Sequence, residues 1–186
     1  MSTEYFTRRQ DKLRTVLAEK NVDGMLVTNL THIRYLCGFT GSSGSLLMAP
    51  DSCEFITDGR YVFQSRNEVK GANITIDSIP HLQVIKNNNF LSRGLKIGFA
   101  GECVSHQMFS DISTILPHVT WESLVGCVET LAMEKDHKEI ENVNGVGKES
   151  GYSEGWKGGE NVCALWVSRM NPFLLICVTI KPISSI

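Results

Sequence analysis

The chain has 186 residues, of which 42% are hydrophobic, which allows one domain with a buried core and excludes wholesale disorder. Its formal net charge of −2 gives no indication of a nucleic-acid or anionic-membrane partner. The first residues mix acidic and basic side chains without an apolar segment, so the sequence predicts no signal peptide and a cytoplasmic location.

The helices and strands predicted from hydrophobic periodicity alternate along most of the chain. In chain order they are a helix over residues 4–20, a strand over 24–28, an irregular segment over 29–40, strands over 45–49 and 54–57, a helix over 60–69, a strand over 73–79, a short helix and loop over 82–91, a strand over 96–99, a helix over 105–116, a strand over 119–121 and a helix over 124–133. This alternation predicts a three-layer α/β/α domain, and a hairpin at 45–57 makes its sheet mixed.

The character of the sequence changes at Asp136, where a capped helix start is followed by a Gly-rich stretch. We therefore expect a domain over residues 1–135, a connector helix beginning over 136–143, and an atypical tail over 144–186 that is not a domain. The tail's apolar segment contains Arg169 and Pro172, so short strands or an aggregation-prone end are expected there rather than a membrane helix.

Six cysteines and five histidines are scattered without the spacing of a metal motif. No Cys-x-x-Cys pair occurs, and no two histidines have the spacing of a metal-binding helix. With no export signal predicted, the cysteines are expected to be reduced and mostly buried. The sequence therefore predicts no metal site in this chain.

A Gly- and Ser-rich loop over residues 38–44 is the first candidate site. It has no Lys and leads into a strand, so it does not fit a phosphate-binding loop that opens a helix. Ser42 and Ser43 lack the Gly-x-Ser-x-Gly spacing of a nucleophile elbow. The residues favour a tight loop that requires small side chains.

The second candidate is the run Asp58-Gly59-Arg60-Tyr61, at a predicted strand-to-helix junction. The guanidinium of Arg60 is suited to bind a carboxylate or a backbone carbonyl. Equally, Asp58 could cap the helix and pair with Arg60 on the surface. Local chemistry leaves both interpretations open.

Together these segments resemble the N-terminal domain of the creatinase/prolidase/Xaa-Pro aminopeptidase family. The order and spacing of several motifs carry the resemblance, which covers roughly residues 5–143. The motifs are Ile-Arg-Tyr-Leu-Cys-Gly-Phe-Thr-Gly-Ser-Ser-Gly over 33–44, Thr-Asp-Gly-Arg-Tyr over 57–61 with Gln64, Lys-Ile-Gly-Phe over 96–99, and Leu-Ala-Met-Glu-Lys-Asp-His-Lys-Glu-Ile over 131–140.

The resemblance, closest to Xaa-Pro aminopeptidases, implies a non-catalytic domain that forms dimers or closes over a substrate cleft. In such enzymes a separate C-terminal domain holds two divalent metal ions, manganese or zinc, on two Asp, one His and two Glu. The resemblance gives Arg60 a contact with the proline-containing peptide. It gives a structural role to the motif residues Phe39, Gly41, Ser42, Gly44, Asp58, Gly59 and Tyr61.

This sequence departs from the family after His137, where neither Asp nor His occurs again. The leading hypothesis is therefore a domain that is inactive alone, has no cofactor of its own, and associates as a homodimer or with full-length subunits. One alternative is a truncated form of an active proline-specific metallo-aminopeptidase. The other is a regulatory fragment that binds full-length subunits. The tail over 144–186 is expected to come from truncation, alternative splicing or a gene-model error.

Overall fold

The computed structural model describes residues 3–133, 163–166 and 176–179. The chain divides into two compact units, Met1–Ala132 and Met133–Ile186, each of which is described by itself. The predicted connector over 136–143 lies outside the described residues. Within the described part of the chain, none of the helices has both the length and the apolar composition needed to span a bilayer.

The first unit is an α/β domain. Its strands are β1 (Gly24–Val27), β2 (Ser45–Met48), β3 (Cys53–Thr57), β4 (Asn73–Ile76), β5 (Lys96–Ala100) and β6 (Thr120–Leu124). Its helices are α1 (Thr3–Glu19), α2 (Leu30–Cys37), α3 (Val62–Glu68), α4 (His81–Asn87), α5 (His106–Ile115) and α6 (Cys127–Met133), and a 3-10 turn, Gly59–Tyr61, precedes α3.

The six strands form one sheet in the order β4-β3-β2-β1-β5-β6. The β2–β3 hairpin is antiparallel, and β2 also runs antiparallel to β1. The remaining neighbours, β3–β4, β1–β5 and β5–β6, are parallel. The predicted hairpin and mixed sheet are therefore confirmed.

Helices cover both faces of this sheet, because successive strand residues point to opposite sides. In β1, Met25 and Val27 belong to one buried cluster, to which α1, α2 and α6 contribute. Leu26 between them belongs to the second cluster, with residues of α4 and α5. The predicted three-layer α/β/α architecture is thus confirmed.

Helix α2 lies where the sequence analysis expected an irregular segment, so that expectation was wrong. The side chain of Asn29 caps its start by accepting from the backbone N–H groups of Thr31 (2.8 Å) and His32 (3.3 Å). Gly38 ends it in the left-handed conformation, with φ 88°. The local signals were an Asn N-cap and a C-terminal Gly.

The end of the domain also differs from its prediction. Leu124 was expected to begin the last helix, but it pairs with Ala100 as the final residue of β6. Gly126, with a positive φ of 68°, separates this strand from α6. The apolar spacing around Leu124 suits either element, and only its pairing with β5 decides between them.

The described part of the second unit is a two-stranded antiparallel sheet of β7 (Cys163–Trp166) and β8 (Ile176–Thr179). Cys163 pairs with Thr179 and Trp166 with Ile176. Both strands lie in the apolar segment for which the sequence predicted short strands or an aggregation-prone end.

Candidate functional site

The glycines of the 38–44 loop are explained by aromatic packing. Phe39 is buried, and its ring centroid lies 4.6 Å from that of Phe55 and 5.4 Å from that of Tyr61. A Cβ at Gly41 would overlap the Phe39 ring and lie 2.7 Å from Tyr61 Cε1. A Cβ at Gly44 would lie 2.8 Å from the Phe55 ring. The backbone of the loop therefore passes directly against three aromatic rings.

Ser42 is bound to the same aromatic cluster. Its hydroxyl lies 2.6 Å from the Tyr61 hydroxyl, and its backbone N–H donates to that oxygen at 3.3 Å. The hydrogen bonds from the side chain and then the backbone of Ser42 lower the pKa of Tyr61. Ser42 thus holds the end of the Tyr61 side chain.

Asp58 and Arg60 form a bidentate ion pair at the start of the 3-10 turn. Arg60 Nε donates to Asp58 Oδ1 at 2.9 Å, and Nη2 donates to Oδ2 at 2.8 Å. Asp58 Oδ1 also accepts from the backbone N–H of Arg60 at 3.0 Å, so it caps the turn. The Arg60 side chain bonds hold the pKa of Asp58 well below its ordinary value, and Asp58 raises the pKa of Arg60.

The Arg60 side of this ion pair is exposed to solvent. The Arg60 side chain is 71% exposed, while that of Asp58 is 25% exposed. Nη1 of Arg60 donates to no other described residue, since the hydrogen bonds of the guanidinium go through Nε and Nη2. The capping ion pair that local chemistry left open is therefore present, and it leaves one edge of the guanidinium available to a ligand.

A polar network that the sequence analysis did not predict ties the loop to α3. Glu68 accepts from the backbone N–H and the hydroxyl of Thr40, both at 2.8 Å, and from Gln64 Nε2 at 3.1 Å. Burial raises the pKa of Glu68, but the hydrogen bonds from Thr40 and Gln64 outweigh it, so the pKa lies below its ordinary value. The four-residue spacing of Gln64 and Glu68 on one helix face was the available signal.

The sequence patterns also did not predict that His81, at the start of α4, lies next to this site. Its Nδ1 lies 2.9 Å from the Ser45 hydroxyl, at the beginning of β2. Burial lowers the pKa of His81, and the charge of Asp58 opposes that shift. Nearby, the buried Thr57 hydroxyl donates to the Ser43 carbonyl at 2.7 Å. No sequence signal connects His81 with the loop, because they meet only through the sheet.

The metal centre that the resemblance implies for full-length proteins does not fit these residues. Among the described residues, the potential ligands that come together are His32, Cys103 and Glu129. This group contains one carboxylate, whereas the two-metal centre needs four. The described residues therefore do not supply the ligands of that two-metal centre.

Comparison with known proteins identifies relatives of this chain. Residues 9–133 match the family model described as the creatinase/prolidase N-terminal domain. An uncharacterized peptidase, YqhT, of Bacillus subtilis (strain 168) is 33% identical over 131 residues, which are 70% of this chain and 37% of that protein.

Two solved structures extend the comparison. An Xaa-Pro dipeptidase from Bacillus anthracis has a TM-score of 0.67 and 27% identity, over 78% of this chain and 42% of that one. The N-terminal domain of the cytoplasmic peptidase PepQ from Mycobacterium tuberculosis H37Rv has a TM-score of 0.60 and 29% identity, over 67% of this chain and 98% of that one.

The three-layer fold, the glycine loop and the Asp-Gly-Arg-Tyr turn all lie within the matched residues. The chain belongs to the creatinase/prolidase N-terminal domain family, whose model matches residues 9–133. It spans little more than a third of the length of the curated relative it matches.

Proposed function

We propose that this chain is the non-catalytic N-terminal domain of an Xaa-Pro aminopeptidase-like protein and has no peptidase activity alone. The observation that carries the proposal is the extent of the similarity. The matched region spans 98% of an isolated N-terminal domain but 42% of a dipeptidase chain. The two divalent metal ions expected of full-length relatives, manganese or zinc, belong in this proposal to the remaining part of such chains.

We assign the contact with a proline-containing peptide to Arg60. Its position against Asp58 is fixed by two side-chain hydrogen bonds, so the guanidinium is already ordered before a ligand arrives. A guanidinium presents several N–H donors in one plane, which suits a peptide carbonyl or carboxylate. The exposed edge carrying Nη1 supports this role.

An exposed aromatic residue close to Arg60 in sequence is suited to contact a second subunit. Phe63, three residues after Arg60, is 81% exposed. Large exposed aromatic side chains are enriched at the centres of protein interfaces. In this proposal Phe63 contacts the partner, which is either a second copy or a full-length family subunit. We place the assembly in the cytoplasm, as the related PepQ is a cytoplasmic peptidase.

The test of inactivity is an assay of the purified chain on an Xaa-Pro peptide with added manganese. We expect no turnover above a mock purification from the same host. Turnover that a chelator removes would contradict the proposal and would favour an active metallo-aminopeptidase instead.

A second measurement addresses the partner. Size-exclusion chromatography with light scattering gives the mass of the chain alone and mixed with a full-length family enzyme. A homodimer or a mixed complex is expected. If only the mixed complex forms and it changes the turnover of the full-length enzyme, the regulatory-fragment alternative is favoured.

The role of Arg60 is tested in that mixed complex. Arg60→Ala removes a charged hydrogen bond of about 1.5–3 kcal/mol, so peptide turnover at the shared cleft should fall by about 10–100-fold. Arg66→Ala is the matched control, because Arg66 is also exposed and lies on α3. Equal effects of the two variants would show that the peptide does not contact Arg60.

A further inference from the structure

Three side chains from separate elements converge on a cluster that contains no residue of the 38–64 region. His32 lies on α2, Cys103 follows β5, and Glu129 lies on α6. One potential ligand atom from each lies within 4.8 Å of the other two. His32 is buried, and Cys103 and Glu129 are half-buried, so the group is enclosed but accessible to an ion.

The sulfur of Cys103 is held by a residue whose own orientation is fixed. The Oδ1 of Asn29 caps α2, accepting from the N–H groups of Thr31 and His32. The amide Nδ2 must then point the other way, and it donates to Cys103 Sγ at 3.2 Å. Hydrogen bonds of this kind to a ligand atom accompany metal-bound side chains and orient them.

The imidazole of His32 donates from Nε2 to the carboxylate of Glu129, which can only accept. Its Nε2 lies 2.8 Å from Glu129 Oε1. Its Nδ1 is buried and has no hydrogen-bond partner among the described residues. If the hydrogen moves to Nδ1, where no described group blocks it, Nε2 can offer a lone pair to a cation in place of its hydrogen bond to Glu129.

The surrounding charge favours a cation. The carboxylate of Glu102 accepts from the backbone N–H of Gly126 at 3.1 Å. Glu102 also interacts with both Glu129 and His32. Two carboxyl groups thus lie beside the imidazole of His32 and the thiol of Cys103.

We propose that His32, Cys103 and Glu129 bind one Zn²⁺ ion, with water as the fourth ligand. Zinc takes nitrogen, sulfur and oxygen ligands at about 2.0–2.3 Å in a tetrahedron, which requires ligand atoms within about 4 Å of one another. Small side-chain movements from the present separations meet that requirement. On binding, the thiol of Cys103 loses its proton, and the ion replaces the proton shared by His32 and Glu129.

The ion would join three elements that packing and single polar contacts already link. It would connect α2, the segment after β5, and α6, the last helix of the domain. Because only the folded chain brings the three ligands together, zinc binding should raise the unfolding temperature. This site is independent of the proposed peptidase-related function and of the two-metal centre of full-length relatives.

The test uses the full chain after removal of metal with a chelator. Zn²⁺ is titrated in competition with a chromogenic chelator, and Co²⁺ is added separately as a spectroscopic probe. We expect one zinc per chain, a higher unfolding temperature with zinc, and a sulfur-to-cobalt charge-transfer band. Absence of zinc binding, or a cobalt spectrum without the sulfur band, would overturn the site.

Variants locate the ion. Cys103→Ala, His32→Gln and Glu129→Gln should each weaken zinc binding by more than about 100-fold, beyond the effect of losing an outer hydrogen bond. Cys53→Ala and His118→Gln, which change residues outside the cluster, should bind as the unaltered chain does. Circular dichroism of the metal-free variants checks their folding. Unchanged binding in folded Cys103→Ala, which keeps Cys163 and Cys177, would assign the metal elsewhere and refute the proposal.

Asn29→Ser provides a subtler variant. Serine is also a good helix N-cap, but its shorter side chain cannot donate to the sulfur while capping α2. Zinc affinity should fall by about 10–100-fold while the cobalt sulfur band remains. A structural role of Asn29 alone would leave the affinity unchanged.

Discussion

At the scale of single residues, the glycines of the 38–44 loop and of the Asp-Gly-Arg-Tyr run lie in different surroundings. Gly41 lies against the rings of Phe39 and Tyr61, whereas a Cβ at Gly59 would meet nothing within 4 Å. The sequence resemblance marked both positions without distinguishing them. The distinction depends on ring positions, which arise from the packing of the loop against α3 and β3.

Gly41→Ala is therefore expected to lower the free energy of unfolding by about 1–3 kcal/mol, because the added methyl group must displace two packed rings. Gly59→Ala is the matched control, and its effect should stay within about 0.5 kcal/mol. Urea unfolding followed by tryptophan fluorescence measures both values. Similar losses in the two variants would contradict the packing described for Gly41.

His81 should make the stability of the domain depend on pH. Burial lowers the pKa of His81, so between its folded and unfolded pKa values the unfolded chain binds more protons than the folded domain. The free energy of unfolding should therefore fall as the pH is lowered from neutrality through the ordinary histidine range.

The measurement for His81 is the urea midpoint at a series of pH values for the unaltered chain and His81→Gln. Glutamine does not titrate, so the variant should show a shallower decrease on acidification. A decrease of the same steepness would assign the pH dependence to other groups.

At the scale of elements, α2 shows what periodicity misses. The helix has eight residues, so its apolar stripe of Ile33 and Leu36 spans little more than two turns. Its caps, Asn29 and Gly38, were visible in the sequence and fit the known preferences at helix ends. The convergence of His32, Cys103 and Glu129 had no such local signal, because the three residues come from distant parts of the chain.

Asn29→Ala should destabilise the domain by about 0.5–2 kcal/mol relative to Asn29→Asp, because only aspartate keeps an acceptor for the N–H groups of the first turn. Both variants lose the amide donor to Cys103, so their difference isolates the cap. Chemical denaturation of the metal-free proteins gives this difference. Equal stabilities would mean that the cap contributes nothing measurable.

At the scale of the whole molecule, the sequence predicted the fold class, the hairpin and the family. These follow from alternating helices and strands and from motifs of fixed order, which are local properties of the chain. The order of strands in the sheet and the network around Glu68 were not predicted. They depend on which elements pair across long sequence separations, and hydrophobic periodicity carries no record of that pairing.

We propose that the first unit folds without the tail. A chain ending at Lys135 should unfold cooperatively with the same midpoint as the full chain, since the described residues of both core clusters precede that point. It should also be more soluble, because it lacks the apolar segment that contains β7 and β8. Thermal unfolding and the concentration at which each chain precipitates provide the comparison. A lower midpoint or equal solubility of the shorter chain would count against this division.

The strand order also has a consequence for how the chain is made. Strands β1 to β4 end at Ile76 and are four consecutive neighbours in the sheet, while β5 and β6 add to the other side of β1. A ribosome extends a chain N-terminal end first, at about 5–20 residues per second. Four strands can therefore associate before the fifth exists, and each later strand meets an edge already formed. During that interval β1 exposes one side of its backbone, and its length of four residues keeps this temporary edge short.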